Sequence, residues 1–487
     1  MKILVVLVSH GHKNDEYLTR VLDEYRSMSY DVDVVVTSNV WKDLGPDVEL
    51  VVGLPNKNPW SLPFAHKKIF AERMDRYDAF IYSEDDILIP EQNISAFMDA
   101  GKALSDDEIA GFVHAEEDSE GNLFFDPPHA SFHWDPDSVT RRGEYTFAFY
   151  TNLHAACFML TQQQLKRAIA SGGFLVEPHD GRYGLAETAT TDPYTQCGFR
   201  KLVPISHLEQ FTVRHLPANK WSVRPYRASE EFHRQISALM NLERAGLPRT
   251  LLFEPETKVS HRKWSKDYYE PVEQEVVSQI PRRVRSVLSV GCGWGALEGW
   301  LVQSGVRVVG IPMDSVIAAC AEAKGVEIVY GGFKQTRNKL EGETFDCLLL
   351  ACVLHLVNDP VAVLSSYAEL LAPGGIVLAT VPNFSQLTTR WRRFRGVGPY
   401  RHLGNYAKTG IHATTSGIIR GWFRRSRLTA TRFAYVVPAS VQLLNRLSLG
   451  LAGSLLGEVV ICVGERRQQI QEAARTLKTP DAVLVDR

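Results

Sequence analysis

Residues 287–295 read VLSVGCGWG, a short apolar run that ends in three alternate glycines. The run at 287–290 predicts a buried parallel strand. Gly291, Gly293 and Gly295 allow a tight turn and a close approach of the backbone to a ligand that a Cβ would exclude. A helix predicted at 296–303 would direct its first amides into the same crevice. The stretch therefore predicts a doubly wound α/β domain with a ligand at its edge, preceded by a first half large enough to be another domain.

The size and composition of the chain predict a two-domain α/β protein. Its 487 residues exceed one ordinary core, and 45% hydrophobic with 23% charged residues is typical of soluble globular proteins. The net charge of −2 argues against a nucleic-acid partner. The apolar run at the start is too short for a signal peptide or a membrane span. Seven cysteines without a CxxC pair indicate reduced thiols, so we expect a cytoplasmic protein.

Strand and helix patterns alternate in the first half, which predicts a mostly parallel sheet with its ligands beyond the strand carboxyl ends. The strand predicted at 79–83 ends at Glu84, Asp85 and Asp86. Three neighbouring carboxylates repel one another unless positive charge compensates them. Mg²⁺ or Mn²⁺ binds to such carboxylates together with phosphate oxygens, which would suit a nucleotide diphosphate. The alternative is an acidic cap for the following helix, with all three carboxylates in water.

The segment 77–90, YDAFIYSEDDILIP, resembles the metal-binding region of GT-A glycosyltransferases, in which an acid-x-acid motif ends a strand. The resemblance covers residues 1 to about 220. It implies that Glu84 lies toward the ribose of a nucleotide sugar and that Asp85 belongs to the same site. It further implies that Asp86 binds a divalent metal, Mn or Mg.

Five further residues acquire roles from this resemblance. Glu187 would be the base that takes the proton of the acceptor hydroxyl, with Asp192 in reserve, unless either residue only caps a helix. His215 would be a second metal ligand, acceptable to Mn²⁺, or a structural histidine. His66 and Lys67 would balance the charge of the donor diphosphate, or belong to a solvated helix face.

The pattern after the glycine loop identifies its ligand. The loop by itself also fits a dinucleotide fingerprint that binds NAD. Strands predicted at 306–311, 326–330, 345–350 and 376–381, with a Pro-Gly-Gly turn at 373–375 before the last, resemble class I S-adenosylmethionine-dependent methyltransferases. The match runs from about residue 268 to 464. It implies S-adenosyl-L-methionine as cofactor, with the three loop glycines beneath its methionine and ribose.

Three other cofactor contacts follow from the same resemblance. The second strand normally ends in an acid that holds both ribose hydroxyls, but Pro312 stands there in this chain. Asp314, two residues later, would take that role from a reshaped loop, or would merely cap the next helix. Cys352 and His355 would flank the cofactor. His355 would act as a base or be a packing residue.

Basic and aromatic side chains alternate after the last predicted strand, from residue 390 to 402. Such a patch would stack on sugars and hold a phosphate, rest on an anionic membrane, or be a plain solvated face. His402 and His412 are candidate acid/base residues for the acceptor. The apolar stretch 438–457 contains Arg446 and several glycines, and is too broken to span a bilayer.

The predicted organisation is a GT-A-like domain at 1–225, a connector at 226–264, a class I methyltransferase domain at 265–466 and a polar tail at 467–487. The leading hypothesis is a bifunctional transferase of surface polysaccharide biosynthesis. It would use a nucleotide sugar and then O-methylate a glycan or lipid-linked saccharide, in the cytoplasm or at the inner membrane face. One alternative is a methyltransferase whose first domain only binds a saccharide or partner. Others are an RNA or protein methyltransferase and an NAD-dependent sugar-modifying enzyme.

Overall fold

The computed structural model describes residues 1–125, 132–217, 228–259, 264–448, 450 and 452–466. The chain divides into two compact units, Met1–Leu247 and Pro248–Arg487. The predicted connector at 226–264 is therefore divided between the two units. The predicted polar tail at 467–487 lies outside the described residues.

The first unit is built from short strands and six α-helices in its described part. Its strands are β1 (Lys2–Ser9), β2 (Asp31–Ser38), β3 (Val48–Val52), β4 (Ala79–Glu84), β5 (Ile87–Leu88), β6 (Glu108–Ala110), β7 (Val113–Glu117), β8 (Leu123–Phe125), β9 (Trp134–Arg142), β10 (Tyr145–Tyr150), β11 (Cys157–Thr161), β12 (Arg200–Pro204) and β13 (Thr212–His215). Its helices are α1 (Asp15–Ser27), α2 (Ala65–Arg73), α3 (Glu91–Gly101), α4 (Gln162–Ala170), α5 (Leu185–Thr195) and α6 (Ala228–Ala245), with 3₁₀ turns at Pro59–Phe64, Met74–Arg76 and Ile205–Phe211.

The main sheet of the first unit has the strand order β11-β4-β1-β2-β3. Strands β1 to β4 are parallel and β11 is antiparallel, so the predicted mostly parallel sheet is confirmed for the main sheet. Strands β1 and β4 are buried almost throughout, as expected for continuous apolar runs within a parallel sheet. Their carboxyl ends place Ser9 and Glu84 at the same edge.

Two smaller four-stranded sheets, β6-β12-β10-β9 and β5-β13-β7-β8, were not predicted from the sequence. The second of them is important for the site, because it pairs β13 with β5 and places His215 opposite Ile87. The backbone amide of Leu216 also donates to the carbonyl of Asp86, at 2.8 Å. A residue far along the chain is thereby fixed beside the carboxylates that follow β4.

The second unit contains a seven-stranded sheet in its described part. Its strands are β14 (Ser286–Cys292), β15 (Arg307–Pro312), β16 (Glu327–Ile328), β17 (Phe345–Ala351), β18 (Leu371–Pro382), β19 (Leu428–Val436) and β20 (Val459–Arg466). Its helices are α7 (Gln274–Val277), α8 (Ala296–Gln303), α9 (Ala318–Glu322), α10 (Phe333–Lys339), α11 (Pro360–Ala368), α12 (Leu387–Phe394), α13 (Tyr406–Thr409), α14 (Ser416–Arg425), α15 (Gln442–Leu447) and α16 (Gly453–Leu456), with 3₁₀ turns at Gly398–His402 and Ala439–Val441.

The strand order is β16-β15-β14-β17-β18-β20-β19, with the first five strands parallel and β20 antiparallel to both of its neighbours. From the central β14 the chain winds outward through β15 and β16, then crosses to β17 and β18. The winding direction reverses between β14 and β17, and ligands of such sheets bind at that switch point. The doubly wound α/β fold predicted from the glycine loop is confirmed.

The Pro-Gly-Gly segment differs from its predicted form. Strand β18 runs without a break from Leu371 to Pro382, whereas the sequence predicted a turn at 373–375 and a strand from 376. Leu371 pairs with Phe345, and Ile376 pairs with Cys347, so the residues between them form a wide bulge. Gly374 has a φ of +78° there, which suits glycine.

Candidate functional site

The glycine loop of the second unit is fixed by the chain segment that lies over it. Gly291 and Gly295 have φ values of +80° and +77°, a region that disfavours side chains. A Cβ on Gly293 would lie 2.4 Å from the carbonyl oxygen of Tyr268. That carbonyl accepts a hydrogen bond from the amide of Trp294 at 2.8 Å. Gly293 is therefore required for the contact between the loop and the segment around Tyr268, as well as for any ligand.

Lys266 and Glu270, which the sequence analysis did not single out, form an ion pair at the switch point, in which Lys266 is fully buried and Glu270 is 29% exposed. The Nζ of Lys266 donates to Glu270 Oε2 at 2.7 Å and to the carbonyl of Ala351 at 2.8 Å. Ala351 is the last residue of β17, and the indole of Trp294 in the loop donates to the carbonyl of Glu270 at 2.7 Å. Burial raises the pKa of Glu270 to about 7, against the opposing effect of Lys266. Titratable groups of this kind often mark a functional crevice.

Cys352 and His355, predicted to flank the cofactor, both follow β17. Burial raises the pKa of the Cys352 thiol to about 12, so it is an unreactive group there. The His355 ring is fully buried, and its Nε2 donates to the carbonyl of Trp264 at 2.8 Å. Burial lowers the pKa of His355 to about 3. This geometry corresponds to the packing alternative for His355, not to a general base.

Asp314 is buried just beyond β15 and holds the backbone that follows it. Its Oδ1 accepts hydrogen bonds from the amides of Val316 and Ile317, both at 2.8 Å. Burial, together with the nearby charge of Asp314, raises the pKa of the Tyr268 hydroxyl well above its usual value. The contacts of Asp314 therefore correspond to the capping alternative rather than to a carboxylate open to a ribose.

The two histidines predicted for acid/base chemistry differ in their surroundings. The His412 ring stacks on Tyr406 with centroids 4.5 Å apart, and its Nε2 donates to the carbonyl of Val357 at 3.1 Å. Burial lowers the pKa of His412. The His402 Nε2 accepts a hydrogen bond from Arg401, its neighbour in sequence, at 2.9 Å. Only His412 is thus tied to the residues that follow β17.

In the first unit, the carboxylates after β4 are brought together with polar side chains from other elements. Asp85 accepts hydrogen bonds from Ser9 at 2.5 Å and from Asn14 at 2.9 Å, and burial raises its pKa to about 6. Asp86 is buried and accepts a bond from Asn14 at 3.2 Å through Oδ2. Its Oδ1 has no hydrogen-bond partner among the described residues. The Glu84 carboxylate lies 3.8 Å from the His154 Nε2.

His215 lies beside Asp86, as the resemblance implies, but it also contacts another carboxylate. Its Nε2 is 3.6 Å from Asp86 Oδ2, and its Nδ1 is 3.0 Å from Glu116 Oε1. Glu116 is on β7 and had no signal in the sequence. In the described part of the chain, no group of three or more His, Cys, Asp or Glu residues has an arrangement suited to a metal ion.

Four other predicted residues of the first unit have structural partners. Lys67 was predicted to balance the charge of a diphosphate, and Asp192 was the second candidate for the catalytic base. The two residues form a buried ion pair with each other. Burial lowers the pKa of Lys67, and Asp192 partly opposes this. Glu187 accepts the amide of Gly184 at 3.2 Å, which corresponds to the helix-capping alternative.

His66 is the fourth of these residues, and its position corrects the predicted role. The ring is fully buried among aromatic side chains, and its Nδ1 donates to the carbonyl of Pro63 at 2.6 Å. Burial lowers the pKa of His66 to about 3, so the ring is neutral at pH 7. A neutral core histidine cannot balance the charge of a diphosphate.

The comparisons with known proteins agree with the geometry of the second unit. Residues 288–379, from β14 to β18, match the family described as a methyltransferase domain. This chain therefore contains a methyltransferase domain in its C-terminal half, and the match supports S-adenosylmethionine as its cofactor.

Among the similar curated proteins are several named ubiquinone biosynthesis O-methyltransferase. That of Dinoroseobacter shibae is 33% identical over 114 residues, 23% of this chain and 46% of the relative. That of Actinobacillus pleuropneumoniae serotype 5b is 32% identical over 108 residues, 20% of this chain and 46% of the relative. The chain thus spans about half the length of the curated relatives that it matches. A solved S-adenosylmethionine dependent methyltransferase from Mesorhizobium loti is 15% identical, with a TM-score of 0.29 over 40% of this chain and 96% of that chain.

Proposed function

We propose that this protein is an S-adenosylmethionine-dependent methyltransferase that acts on a hydroxyl group of a saccharide, and that its first unit binds the saccharide or a partner. The observation that carries the proposal is the glycine loop at the end of β14, within a matched methyltransferase domain and at the switch point of the sheet. The names of the curated relatives support oxygen as the methylated atom.

The residues around the crevice fit the proposed donor. S-adenosylmethionine, when bound, supplies a methyl group on a positively charged sulfur. The loop and the first turn of α8 would provide backbone amides to hold its carboxylate. Glu270 is partly exposed, whereas Asp314 is buried in backbone contacts, so Glu270 would accept hydrogen bonds from the donor. Lys266 orients Glu270 and ties it to the end of β17. His402 and His412 remain our candidates for moving the proton of the acceptor hydroxyl.

Calorimetric titration with S-adenosylhomocysteine tests this proposal. We expect binding at one site, and we expect NAD at the same concentration neither to bind nor to compete. Binding of NAD in place of S-adenosylhomocysteine would favour the dinucleotide alternative, and an absence of heat with both ligands would contradict the proposal. Transfer of a labelled methyl group to a panel of saccharides, lipid-linked ones included, then identifies the acceptor.

A second candidate function for the first unit is metal-dependent glycosyl transfer from a nucleotide sugar. Two observations favour it: the buried Asp86 leaves Oδ1 without a partner in the described part of the chain, and His215 lies 3.6 Å from its other oxygen. Asp86 follows the carboxyl end of β4 in the mostly parallel sheet, where ligands of such folds bind, and the pairing of β13 with β5 brings His215 beside it. An incoming Mn²⁺ would take Asp86 as a ligand, and phosphate oxygens would complete its coordination.

Replacing Asp86 by asparagine is expected to abolish this second activity. In the wild type, Mn²⁺ together with the correct nucleotide sugar would raise the melting temperature, because a ligand that binds only the folded state stabilises it. The Asp86→Asn variant would lose this shift, and its sugar transfer would fall by at least about a hundredfold, because the metal loses an anionic ligand. Differential scanning fluorimetry and donor-consumption assays measure both effects.

The matched control is Asp106→Asn, because Asp106 is an exposed acid on the same unit. We expect it to behave as the wild type. If no nucleotide sugar shifts the melting temperature of the wild type, or if Asp86→Asn retains full transfer, glycosyl transfer through this site is excluded. The first unit would then be a binding domain only.

A further inference from the structure

Residues 370–457 have an extreme charge pattern. This stretch contains twelve Arg or Lys residues and no Asp or Glu, although the whole chain has a net charge of −2. Within the described part of the chain, none of these twelve cations forms an ion pair with a carboxylate. Among the described residues, the positive charge of this region is therefore not paired with acids.

Helix α12 carries its apolar face outward. Leu387, Trp391 and Phe394 are spaced i, i+4 and i+7 and so share one face, and their exposures are 51%, 56% and 89%. Thr389, on the opposite face, is buried. Surface helices normally bury their apolar face against the core, so the arrangement in α12 is inverted. Such exposed apolar faces mark interaction sites.

Helix α15 repeats this arrangement. Leu443, Leu444 and Leu447 have exposures of 68%, 57% and 74%, and the exposed Arg446 lies among them. The helix has no buried residue. Two short helices of one unit thus expose six large apolar side chains in the stretch that lacks acids.

Both helices lie at the edge of the sheet that carries the glycine loop. Helix α12 follows the carboxyl end of β18, and α15 follows β19, which runs in the same direction because both strands are antiparallel to β20. The side chain of Gln386, just before α12, donates to the carbonyl of Leu456 at 3.2 Å. Asn383 donates to the carbonyls of Ser454 and Gly457 at 2.9 and 2.8 Å. The chain segments that carry the two helices are therefore joined at this edge.

We propose that α12 and α15 form a docking surface for an anionic lipid bilayer. We call it the arginine–leucine surface, and it consists of Leu387, Arg390, Trp391, Arg393, Phe394, Arg395, Leu443, Leu444, Arg446 and Leu447. Its apolar side chains enter the boundary between headgroups and acyl chains, and its arginines bind the anionic headgroups.

The mixture of side chains favours a bilayer over a nucleic acid. Aliphatic side chains such as Leu443 and Leu447 gain nothing from a phosphate backbone, but they gain from transfer into hydrocarbon. The Arg395 guanidinium lies 4.8 Å from the Trp391 ring, so the aromatic ring and the charge reach the same depth, as at a membrane interface. The described residues contain no helix long and apolar enough to cross a membrane. Short helices that expose apolar and basic side chains on one face lie in the interface plane of a bilayer.

The position of the arginine–leucine surface indicates where the acceptor is held, an inference that rests on the proposed methyltransferase function. A docked second unit would present the edge with the glycine loop to the membrane. The acceptor hydroxyl would then belong to a molecule held in the bilayer, such as a saccharide on a lipid carrier. Docking itself does not require the methyltransferase activity, so the two can fail separately.

Vesicle flotation tests the docking proposal with the full chain. We expect the protein to float with vesicles of 30% phosphatidylglycerol in phosphatidylcholine, and to remain in the soluble fraction with phosphatidylcholine alone or in 1 M salt, which screens the charges. The variant Trp391→Ser/Phe394→Ser should lower the partition coefficient by at least about tenfold, since two exposed aromatic rings would no longer enter the bilayer. Arg390→Gln/Arg393→Gln should lower it by a similar factor.

Two matched controls distinguish binding through the arginine–leucine surface from nonspecific adsorption of the protein to vesicles. Trp60→Ser removes a tryptophan of the first unit that is 69% exposed, and Arg282→Gln/Arg285→Gln removes two exposed arginines that precede β14, at the opposite edge of the sheet. Both controls should float as the wild type does, and all variants should bind S-adenosylhomocysteine equally. Equal flotation of Trp391→Ser/Phe394→Ser and wild type would overturn the proposal. So would a loss of self-association or of RNA binding in this variant without a change in flotation.

Discussion

Replacing Gly293 by alanine is expected to weaken the binding of S-adenosylhomocysteine by at least about a hundredfold. The new Cβ would lie 2.4 Å from the backbone oxygen of Tyr268. A flexible side chain could rotate away from such a contact, but the backbone of Tyr268 cannot. The segment around Tyr268 must therefore move away from the loop, and with it the neighbouring pair Lys266–Glu270. A displacement of about 1 Å in a binding or catalytic site is enough for losses of this size. Isothermal calorimetry measures the change in affinity.

The control for this prediction is Gly421→Ala in α14. A Cβ on Gly421 meets no atom within 4 Å, and alanine favours a helix over glycine by about 1 kcal/mol. We expect unchanged binding and equal or slightly greater stability for this variant. Circular dichroism should show that Gly293→Ala retains its secondary structure. Wild-type affinity in a folded Gly293→Ala protein would show that the donor does not depend on the geometry of this loop.

The elements that the sequence predicted well are those with a strong local pattern. Strands β14, β15 and β17 are short apolar runs between glycines and polar turns, so their limits can be predicted within a few residues. Their order in the sheet follows from the alternation of strands and helices. The alternate spacing of Gly291, Gly293 and Gly295 also predicted the loop that follows β14.

The partners within the sites could not be predicted, because they are distant in the sequence. Lys67 and Asp192 each have a side chain that could bind a ligand. In the folded chain they form an ion pair across 125 positions, so each charge is compensated by the other. His215 reaches Asp86 only because β13 pairs with β5, and both belong to a sheet without a sequence signal. Glu116 adds a carboxylate to that contact. Local sequence patterns therefore predicted which edge of the sheet carries charged residues, but not which of these residues contact one another.

The segment over the glycine loop shows the same limitation. The sequence analysis ended the predicted connector at residue 264 and gave no role to the residues directly after it. In the structure, Lys266 from the start of this domain is buried against the end of β17. The signal that sequence reasoning overlooked is an acid four residues after a lysine, in a stretch rich in aromatic residues. In the folded domain, Lys266 and Glu270 form an ion pair beside the glycine loop, which their spacing in the sequence alone did not predict.

Replacing Lys266 by methionine is expected to destabilise the second unit by about 3–5 kcal/mol at pH 8, because Glu270 would lose the cation that compensates its charge. The carbonyl of Ala351 would also lose its donor. Hydrogen exchange of the amides of β14 and β17 measures this change, since these amides report on the second unit alone. S-adenosylhomocysteine binding should fall as well, because Glu270 loses its orientation.

The pH dependence of this loss distinguishes an electrostatic cause from a packing defect. The folded-state pKa of Glu270, about 7, lies above its ordinary value of 4.5, so the stability that goes with this shift is present below pH 4.5 and is lost as the pH rises through 7. Without Lys266 the pKa rises further, and ionisation at pH 8 becomes more costly. The penalty of Lys266→Met should therefore be smaller at pH 5 than at pH 8. The double variant Lys266→Met/Glu270→Gln should regain much of the loss and show little dependence on pH. An equal penalty at both pH values, unrelieved in the double variant, would mean that the lysine stem fills space and that its charge does not stabilise the crevice.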